Sequence, residues 1–305
     1  MNQASSAKYT FMLLLVTIFW GTGFIAVKMA LDFGFPPSLI TTLRMAFACA
    51  IMFPIFRKSI LCCTKQELKH GLIAGLLLFA GFILQTAGMQ LTIISNSAFL
   101  TTTNVIMVPF ISWMFLRKRP KARVFVSIVL GFVGVSILTH AFETNIQFNL
   151  GDILCLLSAV CWAAQIAYTE IAVKKANADS FTFLELAFTA VFSAAYLLIF
   201  DLGKLPAIGA NLPSGLLACL WLGATCTGYA FWAQSVAQRH MNSSKAVLIL
   251  SMEAVFASLF SVLLGFENFQ FTLALGGGII MFSIILLELN TRIAAKKRLP
   301  LQNKI

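Results

Sequence analysis

Charge is scarce in this chain. Only 11% of its 305 residues are Asp, Glu, Lys or Arg, against about 25% in a soluble domain. Acids are scarcest, with 11 Asp and Glu beside 22 Lys and Arg, and there are three histidines. Catalytic constellations are correspondingly missing. His70, His140 and His240 lie near the ends of apolar runs, and aspartate is kept out of their interiors. Neither an HExxH metal helix nor a GxSxG nucleophile turn occurs. An intramembrane enzyme needs a nucleophile–base pair or a metal set, so that class is set aside. Without a GxxxxGKS/T phosphate loop, nucleotide energy would have to come from a partner. The seven cysteines (49, 62, 63, 155, 161, 219 and 226) show no zinc-type spacing with histidine. They read as small apolar packing residues, and no metal or cofactor is expected.

What the chain does have is apolar length. Hydrophobic residues make up 59% of it, and its mean hydropathy is +0.90. Ten apolar runs fall near 9–31, 38–56, 69–91, 96–116, 124–141, 151–172, 181–200, 214–235, 245–264 and 269–289. About 20 apolar residues cross the ~30 Å hydrocarbon core as a helix. Only helices and closed barrels satisfy their backbone in lipid, and these runs are too long and continuous for barrel strands. The expected fold is therefore an all-α integral membrane protein with ten transmembrane helices. Span 1 is too long for a signal-peptide core, so the opening MNQASSAKYT is not read as a cleavable leader.

The net charge of +11 does not imply nucleic acid, because its placement is one-sided. Lys8, then Arg57, Lys58, Lys65 and Lys69, then Arg117, Lys118, Arg119, Lys121 and Arg123 all fall on one side of the spans. Lys174, Lys175, Arg239, Lys245 and a tail of Arg292, Lys296, Lys297, Arg298 and Lys304 share that side. The opposite loops carry Asp32, Glu143, Asp201 and Lys204. The positive-inside rule puts the basic side, and both termini, in the cytoplasm. Cys62 and Cys63 then lie where thiols stay reduced. The Arg117–Arg123 cluster reads as a topology signal, with binding of anionic lipid heads as the other reading.

The spans fall into two similar halves. Span 1 and span 6 align with Trp20 over Trp162, and GLIAGLLLFAG of span 3 matches GLLACLWLGAT of span 8. At the following corners Gln90 stands over Gln238 and Ala98 over Ala246. Spans 5 and 10 each carry small residues seven apart, Ser127 with Gly134 and Gly276 with Ser283. With five spans per half, the second half is flipped relative to the first. The expectation is two inverted five-helix repeats, 1–145 and 146–305, joined by ETNIQFNLGD. Inverted repeats are the build of secondary transporters that work by alternating access.

Several motifs resemble the EamA-type ten-helix permeases of the drug/metabolite transporter superfamily. These are the Trp20-Gly21 pair with Lys28, the intramembrane Arg44, the Gln85…Gly88-Met89…Ala98-Phe99 stretch, and MEAVFASLFSVLLGFE with Glu253 and Glu267. Ala254 replaces the family's usual Pro, Met89 a usual Leu, and the span 4–5 corner LRKRPK a Gly-Glu-Arg form. The resemblance implies two five-helix bundles around a cavity lined mainly by spans 1, 3, 4, 6, 8 and 9. It implies movement of small solutes, commonly export of amino acids, related metabolites or toxic compounds, in a bacterial inner membrane.

Buried polar and aromatic residues are the site candidates, since a central charge costs ~2.5–3.5 kcal/mol even on the gentlest insertion scale. Glu253, near mid-depth in span 9, is a candidate for a substrate ammonium or for protonation, with a hydrogen-bonded packing role as the alternative. Arg44 suits a carboxylate or a structural pair. Glu185 sits near the position equivalent to Arg44 and reads first as structural. Lys28 and Glu170 align at span ends, as gate or interface charges. Gln85 and Asn104 point either inward or to a neighbouring helix, and Trp20, Trp162, Tyr168, Tyr229 and Trp232 are candidate cavity aromatics. Trp20 is mid-span, where the interfacial aromatic belt does not explain it. Proton coupling through Glu253 or Glu185 and simple facilitated diffusion both remain open. So do a scavenging importer of an aromatic or cationic metabolite such as S-adenosylmethionine, and a channel or lipid scramblase. The GxxxG at Gly71–Gly75 and the small residues of spans 5 and 10 read as intramolecular packing, with a homodimer contact as the other reading.

Overall fold

The computed structural model describes residues 3–92, 94–117, 122–138, 149–207, 211–265 and 268–302. Among them the regular structure is entirely helical. In chain order the helices are α1 (Gln3–Asp32), α2 (Pro37–Leu61), α3 (Lys65–Met89), α4 (Ile94–Thr102), α5 (Asn104–Leu116), α6 (Ala122–Leu138), α7 (Leu150–Ala172), α8 (Ala178–Tyr196), α9 (Leu212–Trp221), α10 (Ala230–Gln238), α11 (Ser243–Leu250), α12 (Met252–Leu263) and α13 (Phe271–Gln302). Eight crossings, some built from two helices, are long and apolar enough to traverse a bilayer. Two further apolar helices, Val124–Ile137 and Ala274–Leu287, are shorter and fall on the expected fifth and tenth spans. The protein is a multi-pass membrane protein. Large apolar side chains such as Phe11, Ile55, Met114, Ile199 and Leu263 stand exposed on its outside, which in lipid is their solvated position.

Local chemistry sets the helix starts. Thr64 and Glu67 form a capping box on α3, Asn149 and Asp152 form one on α7, and the Asn177 and Asn242 side chains cap α8 and α11. Glu67 Oε1 also accepts from the Asn177 N–H and the Ser180 hydroxyl, each at 2.8 Å. One carboxylate thus ties the corner before α3 to the corner before α8.

Several crossings are interrupted. The fourth breaks at Thr103, between α4 and α5, and the ninth at Ser251, between α11 and α12. Thr103 follows Ala98 by the same interval as Ser251 follows Ala246, so the breaks occupy matching places in the two halves. At Thr103 the N–H is shared between the Phe99 and Leu100 carbonyls (3.2 and 3.3 Å). The second break forms although Ala254 stands where the family usually has Pro. Widened π turns occupy Leu197–Asp201 and Leu222–Tyr229, the latter joining α9 to α10.

Packing follows a regular scheme. Helix α3 lies against α7 and α8, and the α9–α10 crossing lies against α1 and α2. Helices α4 and α5 lie against α7, while α11 and α12 lie against α1; α2 meets α8, and α6 meets α13. Exchanging α1–α6 with α7–α13 in chain order maps this scheme onto itself. Small residues make the approaches close. A Cβ on Gly75 would lie 2.8 Å from the Glu185 carbonyl oxygen on α8, and one on Gly134 would lie 2.9 Å from the Gly276 carbonyl oxygen on α13. Both small-residue pairings are intramolecular.

Candidate functional site

A cavity of about 60 Å³ lies where α1, α2, α3, α4, α5, α7, α12 and the π segment Leu222–Tyr229 converge. Helical periodicity decides what reaches it. Trp20, Gly23, Phe24 and Val27 form one stripe of α1, Phe82, Gln85 and Met89 one stripe of α3, and Trp162 and Ile166 are one turn apart on α7. Arg44, Thr101, Asn104, Cys226 and Glu253 complete the lining. Asn104 opens α5 immediately after the Thr103 break, and Glu253 lies in the first turn of α12 immediately after the Ser251 break. Both interrupted crossings therefore present the start of their second half-helix to the cavity, as discontinuous helices do in transporters.

The indoles are fixed in different ways. Trp20 Nε1 donates to the Cys226 carbonyl at 2.8 Å, inside the π segment, where backbone pairing is shifted. The polar edge of Trp20 is thereby committed. Trp162 packs edge-on to Phe82 (4.7 Å between ring centres) and stacks on Phe231 at 6.0 Å. Its Nε1 is buried without a partner, which is uncommon for a native polar group.

An arginine and a glutamate share this cavity. Arg44 is 5% exposed; its Nε donates to Thr227 Oγ1 at 2.9 Å, and its Cζ lies 4.3 Å from the centre of the Phe82 ring. Glu253 is 9% exposed. The ion pairs given by the described residues are Lys28–Asp32, Lys174–Glu170 and Lys204–Asp201, which leaves Arg44 and Glu253 out. Gln85 Nε2 donates across to Thr101 Oγ1 at 3.2 Å. The cavity has room for a few waters, less than a metabolite needs, so a solute must widen it. One turn beyond Val27 on α1 and next to Met89 on α3, a recess of about 330 Å³ begins, lined by Leu31, Phe35, Gln90 and Lys204 among others. It lies on the side opposite the basic loops.

Of the sequence candidates, Trp20, Gln85, Asn104, Trp162, Glu253 and Arg44 come together here. The others lie elsewhere. The Tyr168 hydroxyl meets His70 Nδ1 at 2.7 Å. Tyr229 packs edge-on to Phe19, and Trp232 stacks on Phe56 while its Nε1 donates to Asp179 Oδ1 at 2.9 Å. Lys28 pairs with Asp32 in an exposed i,i+4 bridge. Glu170 pairs with Lys174 and accepts from both the N–H and the hydroxyl of Ser243 (2.7 Å each), tying α7 to the start of α11. Glu185 is fully buried and bonded to Gln165. Glu267, His140, most of the Arg117–Arg123 cluster and most of the ETNIQFNLGD join lie outside the described residues. Gly23, Phe24, Val27, Phe82, Met89, Thr101, Ile166 and Cys226 were not among the candidates. Most were findable as turn-neighbours of Trp20, Gln85, Asn104 and Trp162.

Comparison with known proteins agrees with this architecture. A solved crystal structure superposes with a TM-score of 0.74 over 96% of this chain and 99% of that one, at 19% identity, which speaks for the fold alone. A protein of Archaeoglobus fulgidus described as an uncharacterized transporter is 30% identical over 278 residues, 91% of this chain and 84% of its own. One of Haemophilus influenzae, described in the same words, is 22% identical over 147 residues, 47% of this chain and 85% of its own. The EamA-like transporter family matches twice, over residues 7–140 and 149–289. With matches that span nearly the whole chain, this protein belongs to the EamA-like transporter family.

Proposed function

We propose that this transporter moves small zwitterionic metabolites, amino acids or related compounds, across a bacterial inner membrane in the export direction. One observation carries the reading: Arg44 and Glu253 line the same cavity as Trp20 and Trp162, neither engaged in an ion pair among the described residues. A planar guanidinium suits a carboxylate, and a carboxylate beside indole faces suits an ammonium. A solute bearing both groups answers both charges at once and repays the desolvation that each alone would cost.

The mechanism proposed is alternating access by two inverted repeats, 1–145 and 146–305, with both termini in the cytoplasm. The exchange symmetry of the packing scheme and the matched breaks at Thr103 and Ser251 support it. The Glu170–Ser243 tie on the basic side and the recess on the other side fit a state closed toward the cytoplasm. Binding, transport and coupling need no cofactor or nucleic acid in this reading, and monomer and homodimer both accommodate it.

The two indoles in the cavity lining favour a second substrate within the same chemistry, an imported aromatic or cationic amino-acid derivative such as S-adenosylmethionine. Counterflow in proteoliposomes separates the readings. Saturable exchange of plain amino acids supports the first, and exchange confined to the larger cationic compound supports the second. Non-saturable flux would move the protein to the channel or scramblase class.

A further inference from the structure

Away from the cavity, a fully buried polar chain joins α7, α8 and α10. Glu185 Oε1 accepts from Gln165 Nε2 at 2.7 Å, and Gln165 Oε1 accepts from Gln234 Nε2 at 3.2 Å. Gln234 Nε2 also donates to Gln238 Oε1 at 3.1 Å, and Gln238 Nε2 donates to the Ile166 carbonyl at 2.8 Å. Each of these four side chains is at most 1% exposed. The direction of the chain is set at one end. A backbone carbonyl only accepts, so Gln238 must turn its amide nitrogen to Ile166 and its oxygen to Gln234. Gln234 must then offer its nitrogen, and Gln165 in turn offers its own to Glu185. The chain ends by delivering a single donor to Glu185. Two buried oxygens, Glu185 Oε2 and Gln234 Oε1, are left without one.

Among the described residues, no cation pairs with that carboxylate. On α2, Arg44 is bonded to Thr227, and Arg57 and Lys58 are exposed. On α3, Glu67 is bonded to Thr64, Asn177 and Ser180, His70 meets Tyr168 of α7, and Lys65 and Lys69 are exposed. On α7, Glu170 is paired with Lys174. Asp179, at the start of α8, accepts from Trp232, and α10 meets α7 through the Gln234 amide and α8 through the Ser235 hydroxyl. A buried anion with one hydrogen bond and no counter-charge is costly. A hydrogen on Oε2 removes the charge and converts an acceptor lacking a donor into a donor.

We propose that Glu185 is a proton-binding site of the transport cycle, loaded in this state and emptied when α7, α8 and α10 part. The proposal rests on the transport reading. The only chemical step is reversible ionisation: the Oε2–H bond breaks, the electron pair stays on the carboxylate, and the proton leaves to water on one side of the membrane. Coupling runs through α7. Gln165 lies between Trp162 and Ile166, which line the cavity, and the Ile166 carbonyl anchors the amide chain. Solute contact with Trp162 and proton loss at Glu185 act on the same turn.

Infrared difference spectroscopy of the purified protein tests the bound proton without any substrate. The carbonyl stretch of an un-ionised buried carboxylic acid is expected at neutral pH. The component that belongs to Glu185 should vanish in Glu185→Gln and persist in Glu253→Gln, and Gln165→Leu should shift it by removing the donor to Oε1. A band that Glu185→Gln and Gln165→Leu both leave unchanged overturns the proposal. In proteoliposomes, a pH gradient should drive accumulation by the wild type. Glu185→Gln should keep counterflow of the same solute but lose the response to the gradient. Gradient-driven accumulation that survives in Glu185→Gln, or is missing in an actively exchanging wild type, overturns the coupling. A wild type with the band but no counterflow removes the transport reading, and the coupling with it, while the bound proton stands.

Discussion

Arg44 illustrates what a single residue does here. Its Nε–Thr227 bond and its position over Phe82 hold the guanidinium plane against the cavity. Lysine keeps the charge but not the fork or the stacking. Arg44→Lys is expected to raise the half-saturating concentration for carboxylate-bearing solutes about tenfold, ~1.4 kcal/mol. Competition by amines that lack a carboxylate should be unchanged, and inhibition curves measured in parallel check both. The residue scale also shows where sequence reading stops. Mid-span placement singled out Trp20, and polarity singled out Arg44, Gln85, Asn104 and Glu253. Tyr168 shares a helix with Trp162, but six positions on it has rotated to His70. Tyr229 and Trp232 follow Cys226, and the wide turns of Leu222–Tyr229 rotate everything after them relative to an ideal helix. Composition carries no sign of such a turn.

At the scale of elements, helix existence was legible and helix continuity was not. Apolar length gave the eight long crossings to within a few residues. Nothing at Thr103 or Ser251 marks a break, since neither carries Gly or Pro and Ala254 stands where Pro is usual; the break is a redirection of backbone hydrogen bonds that tertiary packing decides. The GxxxG at Gly71–Gly75 was legible as a packing surface, and α8 is what it packs on. Because a Cβ on Gly75 would meet the Glu185 carbonyl oxygen and the Phe188 Cβ, both at 2.8 Å, Gly75→Val should overpack this contact. A loss of about 1–3 kcal/mol is expected, seen as a lower thermal midpoint in detergent. Gly203, where nothing lies within 4 Å, serves as the tolerant control for the same measurement.

At the scale of the whole molecule, charge asymmetry and the internal repeat carry the account. The proposed repeat rests on equivalent corners that carry the same residues, Gln90 with Gln238 and Ala98 with Ala246, and on the exchange symmetry of the packing scheme. Orientation is checked through Cys62, which is exposed between α2 and α3 on the basic side. A membrane-impermeant maleimide should label it in inside-out vesicles and leave it unlabelled in intact cells; the reverse pattern would invert the topology.

Counterflow in proteoliposomes tests the central claim most directly. Labelled amino acids and S-adenosylmethionine form the panel, with analogues lacking either the carboxylate or the ammonium, and folded Trp20→Ala is run beside wild type. The account predicts saturable exchange of a zwitterion, weakened when either charge is removed from the solute and largely lost in Trp20→Ala. Well-folded wild type that exchanges no member of the panel, or that exchanges solutes regardless of both charges, would contradict it.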